Sequence, residues 1–160
     1  MKHLLAILSF VVIVSSVQAA GRNWTLASVN GGDYSISDNG GRPSLLLFWA
    51  TWCKPCKAEL DAMKGTLDDL TKRGMNVVLV SEDNQKSKSR VKPYLDTKGY
   101  GWTALHDPDG EVLKLYGGTS IPYTVMLDKD GSPVFENRGE MKDATAMLAK
   151  ANQLLESAGE

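Results

Sequence analysis

The hydrophobic positions change period several times along the chain. Residues 44–50 (SLLLFWA) and 76–80 (NVVLV) are short continuous apolar runs, the pattern of strands covered on both faces. Between them Cys56, Leu60, Met63, Leu67 and Leu70 recur at spacings of four, three, four and three, which predicts an amphipathic helix ending near Gly74. WTLASV and YSIS flank Asn30-Gly31-Gly32 and predict a short N-terminal hairpin. Beyond residue 80 the pattern predicts a helix through RVKPYLDTKG with Pro93 in its first turn, a short extended piece in GWTALHDPDG and a short helix in EVLKLYG. YTVMLD and SPVFENR then form a hairpin about KDG. A last helix carries Met141, Ala144, Leu148, Ala151 and Leu155 on one face. Strands alternating with helices, then a terminal hairpin and helix, give an α/β architecture: a mixed central sheet with helices on both faces.

The first apolar run, Leu4 to Val14, differs from the rest because it follows a cationic start at Lys2 and precedes the small residues Val17 and Ala19. That order reads as a secretory signal cleaved near Ala19, since the run is shorter than the roughly 20 residues a spanning helix needs. Residues 1–19 are therefore assigned as signal peptide and 20–160 as one domain. The product is expected to be exported, periplasmic or otherwise extracytoplasmic, and membrane-tethered if the segment is retained. The 160 residues, 42% hydrophobic and 23% charged, suit a single core. With 18 Lys+Arg against 19 Asp+Glu, nothing in the balance points to nucleic acid.

Both cysteines of the chain, Cys53 and Cys56, stand in WATWCKPCKAE, between the apolar run at 44–50 and the amphipathic helix. Export permits a disulfide. As a staple it would contribute little, because a ring closed over two intervening residues removes little unfolded-chain entropy. As a redox pair the placement is favourable: a helix beginning about Cys53 puts its sulfur among unpaired N–H groups at the positive end of the macrodipole, which favours the reactive thiolate. Cys53 is then the nucleophile, and Cys56, one turn deeper, resolves the mixed disulfide. Pro55 fits the first helical turn, Lys54 adds positive potential or is plainly solvated, and Trp52 is a candidate apolar rim for substrate. Glu59, three residues after Cys56, is placed to exchange a proton with it if burial brings its pKa toward neutrality; spacing alone favours a surface glutamate in the first helical turn.

FWATWCKPCKAE together with the downstream TSIPYTVMLDKDG resembles the TlpA/ResA-like branch of the thioredoxin superfamily over essentially the whole mature chain. The resemblance implies a thioredoxin-like fold with the N-terminal hairpin as an addition and a central insert at about Lys86 to Asp107. It also implies a cis Ile121-Pro122 bond facing the disulfide, and a functional Glu59. Ile121, preceding a proline that opens a strand, would offer its backbone to an extended substrate. Two family features differ: Leu47 stands where cytoplasmic thioredoxins have a buried aspartate, and Asp61 replaces the proline that commonly kinks the first helix, so a straighter helix is expected.

The implied activity is thiol-disulfide oxidoreduction, most simply reduction of protein disulfides, apocytochrome c being one candidate. Its partners would be protein thiols and disulfides and a membrane thiol carrier; the redox-active disulfide serves without a bound cofactor, and a monomer suffices. The rival from another class is a Cu(I) carrier using the same two thiolates. Zinc lacks ligands, since the only histidine beyond the signal is His106, read as a satisfied turn residue.

Overall fold

A computed structural model describes residues 23–157. The segment assigned as a signal peptide lies outside them. Seven strands form one mixed sheet: β1 (Thr25–Ser28), β2 (Asp33–Ser35), β3 (Ser44–Trp49), β4 (Asn76–Ser81), β5 (Thr103–His106), β6 (Tyr123–Leu127) and β7 (Pro133–Arg138), in the order β2-β1-β5-β4-β3-β6-β7. The three inner strands β5, β4 and β3 are parallel; the flanking pairs are antiparallel. β3, β4 and β6 are buried at every position, so their side chains have no solvent face to alternate toward and the sequence reads as an unbroken apolar run.

Four helices cover this sheet: α1 (Lys54–Lys72), α2 (Val91–Lys98), α3 (Glu111–Leu115) and α4 (Thr145–Ser157). One apolar layer joins Leu45, Leu47, Trp49, Val77 and Leu79 of the sheet to Leu60, Met63, Leu67 and Leu70 of α1, Leu95 of α2 and Met147 and Ala151 of α4. The opposite layer joins Leu46, Phe48, Val78, Val80 and Val125 to Val112 and Leu113 of α3 and to Trp24 and Ile36. Each buried leucine contributes about 1.5–3 kcal/mol by leaving water.

The N-terminal hairpin forms as predicted, with Gly31 and Gly32 at positive φ in its turn and Ser28 N–H bonded to Gly32 O at 2.9 Å. α1 is an unbroken 19-residue helix through Asp61. The carboxylate of Asp61 takes hydrogen bonds from Lys98 Nζ (2.7 Å) and Tyr100 OH (2.6 Å), tying α1 to the end of α2. The segment expected as an insert holds a 3-10 turn (Lys88–Arg90), α2 and β5, and β5 lies inside the sheet between β4 and β1, so it is integral to the fold. α4 starts later than its hydrophobic face suggested. Asp143 caps it by accepting the Thr145 N–H (2.9 Å) and hydroxyl (2.6 Å), which leaves Met141 and Ala144 to pack from the approaching segment while Met147 and Ala151 carry the buried face.

Two acids meet where β4 and β5 end. Asp107 accepts the N–H groups of Glu111, Val112 and Leu113 at 2.9–3.0 Å and so holds the start of α3. Glu82 lies beside it. Burial, and then the Asp107 charge, push the Glu82 carboxyl up to about 8, against a smaller opposing pull from Lys114. In the unfolded chain this proton leaves near pH 4.5, the ordinary glutamate value. Between those two pH values the folded state binds more protons, so stability falls as pH rises through that window. Replacing Glu82 with Gln removes the titration. The urea midpoint of the Glu82→Gln variant, relative to the parent, is expected to be higher at pH 8 than at pH 5; an unchanged difference would show that Glu82 is ionised throughout.

Candidate active site

β3 ends at Trp49, and the chain leaves the sheet through Ala50, Thr51 and Trp52 to reach Cys53, the N-cap of α1. Cys53 has extended backbone (φ −82°, ψ 100°), its N–H bonds Ala50 O at 3.0 Å, and its sulfur accepts the Cys56 N–H at 3.3 Å. A donor that helix geometry leaves without a backbone partner is thus aimed at the Cys53 sulfur, the arrangement that stabilises a thiolate there. Cys53 and Cys56 form a disulfide with Cα atoms 5.3 Å apart. Cys53 keeps 5% of its surface exposed against 1% for Cys56, so Cys53 is the outer sulfur of the pair. Pro55 occupies the second helical position, where no N–H is missed, and with Lys54 is exposed. Trp52 is 59% exposed beside the disulfide, whereas Trp49 is core.

The turn from β3 into α1 is fastened by a residue that sequence reasoning did not single out. Asp83, fully buried two residues past β4, accepts the Thr51 N–H (2.7 Å), the Thr51 hydroxyl (2.6 Å) and the Ser81 hydroxyl (2.9 Å). Its one sequence signal is an acid directly after a continuous apolar strand, where the chain ought to be reaching solvent. His106, expected to be a satisfied turn residue, instead lies at the end of β5 with Nδ1 buried and no hydrogen-bond partner among the described residues. Desolvation, then the Lys88 charge, lower its pKa, with Asp83 pulling the other way. The expectation failed because β5 is laid into the sheet, which carries His106 from a turn to a strand end.

Glu59 is buried on α1, and its Oε2 accepts the Met141 N–H at 2.6 Å. Burial raises its pKa, the Met141 bond lowers it, and Glu140 adds a smaller upward push; the net direction is up. Glu59 is therefore no surface glutamate: its carboxylate joins the redox helix to the segment leading into α4.

The Ile121-Pro122 bond is cis, as the family resemblance implied. Pro122 is buried, and Ile121 packs against both apolar layers at the end of the sheet. The loop before it is pinned at two carbonyls, Tyr116 O by the Tyr123 hydroxyl (2.8 Å) and Gly117 O by Arg138 (2.7 Å), and just past the bond Pro122 O accepts the Gly139 N–H (2.9 Å). A Cβ at Gly118 would collide with the Leu113 side chain and the Tyr123 ring, so the loop closes over α3 only with glycine there. Tyr123, whose role the sequence left open, thus faces the α3 layer and holds the loop from beneath. Among the described residues no group of three or more His, Cys, Asp or Glu is arranged to hold a metal ion.

The AhpC/TSA family matches residues 17–132. The chain belongs to that family. It is 30% identical over 122 residues to the thiol-disulfide oxidoreductase ResA of Bacillus subtilis, covering 76% of this chain and 67% of the relative, and 28% identical over 118 residues to ResA of Bacillus thuringiensis subsp. konkukian, covering 74% and 67%. A thioredoxin-like protein from Porphyromonas gingivalis superimposes with a TM-score of 0.71 at 26% identity, over 87% of this chain and 94% of that one. With its Cys53–Cys56 pair at a helix N-terminus, this AhpC/TSA member is a thiol-disulfide oxidoreductase of thioredoxin-like fold.

Two substitutions test the supports of the pair. Asp83→Ala leaves the Thr51 N–H and hydroxyl without their acceptor and is expected to cost about 3 kcal/mol, read from denaturant midpoints, with slower disulfide exchange. A loss near zero would mean that the loop holds itself. Glu59→Gln keeps an acceptor for Met141 but cannot titrate. With the negative charge gone the active-site thiols are expected to ionise at lower pH, measured by thiolate absorbance, and the pH dependence of exchange to change. Wild-type titration in the variant would remove Glu59 from the proton chemistry.

Proposed function

We propose that the protein is an exported disulfide reductase of protein substrates, with apocytochrome c awaiting haem attachment as the candidate substrate. The observation that carries the chemistry is the Cys56 N–H directed at the Cys53 sulfur at the start of α1. In the reduced enzyme the Cys53 thiolate attacks a substrate disulfide, forming a mixed disulfide and releasing one substrate thiolate. Cys56, deprotonated with Glu59 as acceptor, then attacks the Cys53 sulfur. That step closes the Cys53–Cys56 disulfide and releases the second substrate thiol, so two electrons have passed to the substrate. An external thiol carrier in the membrane restores the dithiol.

Substrate placement is supported by Ile121, whose backbone N–H and C=O make no hydrogen bond among the described residues, and which precedes a proline that stands just ahead of β6. An extended peptide can add there as a strand, with Trp52, Lys54 and Pro55 across the groove. The apolar run ahead of Ala19 supports export, and no helix among the described residues is long and apolar enough to cross a membrane.

Acid quenching and thiol alkylation of intact cells report the direction of flow. A mostly reduced pair is expected for a reductase; a mostly oxidised one would make the protein an oxidase. The Cys56→Ser variant, lacking the resolving thiol, is expected to accumulate mixed disulfides through Cys53, and mass spectrometry of these names the substrates.

A further inference from the structure

Two cation-rich stretches distant in sequence flank a pair of segments that hydrogen bonds join two residues ahead of Cys53. Lys54 and Lys57 belong to the first turn of α1. Lys86, Lys88 and Arg90 belong to the connection between β4 and α2. The buried Asp83 fastens one to the other, because it accepts from both Thr51 donors at 2.7 and 2.6 Å and is followed directly by Asn84. Asn84 then shapes the second stretch: its side-chain oxygen accepts the Lys86 N–H (2.9 Å), and its carbonyl accepts the N–H groups of Ser87 (3.0 Å) and Lys88 (2.9 Å). Lys86, Lys88 and Arg90 therefore belong to a formed turn that begins one residue after Asp83, which is bonded to Thr51 in the loop that carries Trp52 and Cys53.

None of these cations has an acid within ion-pair distance among the described residues, although Lys57 acts on Asp61 and Lys88 on His106 from farther away. Lys54, Lys86, Lys88 and Arg90 are exposed and Lys57 half-buried, with Lys57 Nζ 5.6 Å from the Tyr94 ring centre. Among the described residues none of the five forms an ion pair, whereas neighbouring Lys64, Lys92 and Lys98 are paired with Asp68, Asp96 and Asp61. The acids within this region are committed: Asp83 to Thr51 and Ser81, Asp61 to Lys98 and Tyr100. In a chain whose net charge is −1, this is a local positive surplus at the mouth of the redox site.

We propose that this basic rim is a docking surface for acidic residues flanking the reactive cysteine of the protein substrate, so that charge selects the partner before thiol exchange begins. The inference rests on the reading of the pair as a reductase of protein disulfides. A polypeptide is favoured over other polyanions because the rim borders Cys53, whose chemistry needs a sulfur partner. Clustered charge of one sign accelerates encounter by about ten-fold or more at low ionic strength, and salt screens it within a distance of about 10 Å at 0.1 M.

The test uses two disulfide-linked peptides identical except for Glu or Gln on either side of one cysteine, reduced by the full chain. About a ten-fold higher kcat/KM for the Glu peptide is expected at low ionic strength, shrinking toward equality in 0.5 M salt. Combining Lys86→Glu, Lys88→Glu and Arg90→Glu, all exposed and outside the thiol machinery, is expected to abolish or reverse that preference while leaving the rate with a small neutral disulfide unchanged. Equal rates for both peptides at low salt, or a preference that survives either salt or the triple variant, would overturn the docking surface and leave the reductase standing. Failure to reduce the peptides and the small disulfide alike would overturn the underlying function, and the docking surface with it.

Discussion

The site depends on one constraint: a strand buried on both faces has to end in a helix start. β3 carries six consecutive buried residues and cannot turn within the sheet, so the chain emerges at its carboxyl end and enters α1 through four residues. The unpaired amides of the helix start then lie where the strand delivers the first sulfur, and the Cys56 N–H meets it. Packing of β3 between β4 and β6, with apolar layers above and below, fixes the position of that junction. A thiol pair on a surface loop would have neither the directed amide nor the asymmetry of exposure between its two sulfurs.

Buried carboxyl groups make this junction rigid. Asp83 holds the turn before Cys53, Glu59 holds the segment before α4 against the redox helix, and Asp107 holds the start of α3. Each accepts backbone N–H groups that would otherwise be orphaned, which offsets the cost of removing a carboxyl from water. Three near donors surround the Asp83 carboxyl. Burial, and then the Asp107 charge, instead raise the Glu82 carboxyl to about 8. The cis-proline loop is held on the other face by side chains of the opposite polarity, the Tyr123 hydroxyl and the Arg138 guanidinium donating to successive carbonyls.

Much of this was legible in the sequence because it is local or periodic. Continuous apolar runs identify β3 and β4, the four-three spacing identifies α1, and Cys53-Lys54-Pro55-Cys56 at the boundary between them identifies the chemistry, since strand end and helix start are both written within ten residues. The downstream Ile121-Pro122 needed the resemblance to thioredoxin relatives to be connected with the cysteines, there being no local signal that links residues so far apart.

Tertiary structure decided what long-range contact alone can decide. Asp83 and Thr51 stand 32 positions apart, and Glu59 and Met141 stand 82 apart. No periodicity marks such pairs, because each is created by the register of β4 on β3 or by the packing of α4 over α1. His106 looked like a turn residue and became a strand end when β5 entered the sheet between β1 and β4. Nothing in the sequence connects Lys54 with the stretch from Lys86 to Arg90; the Asp83–Thr51 bonds join the segments that lead into them. Sequence determined the elements and the redox pair, because secondary structure and helix-terminus electrostatics act over a few residues. The environment of that pair was settled by the fold, because burial and charge depend on what the rest of the chain brings near.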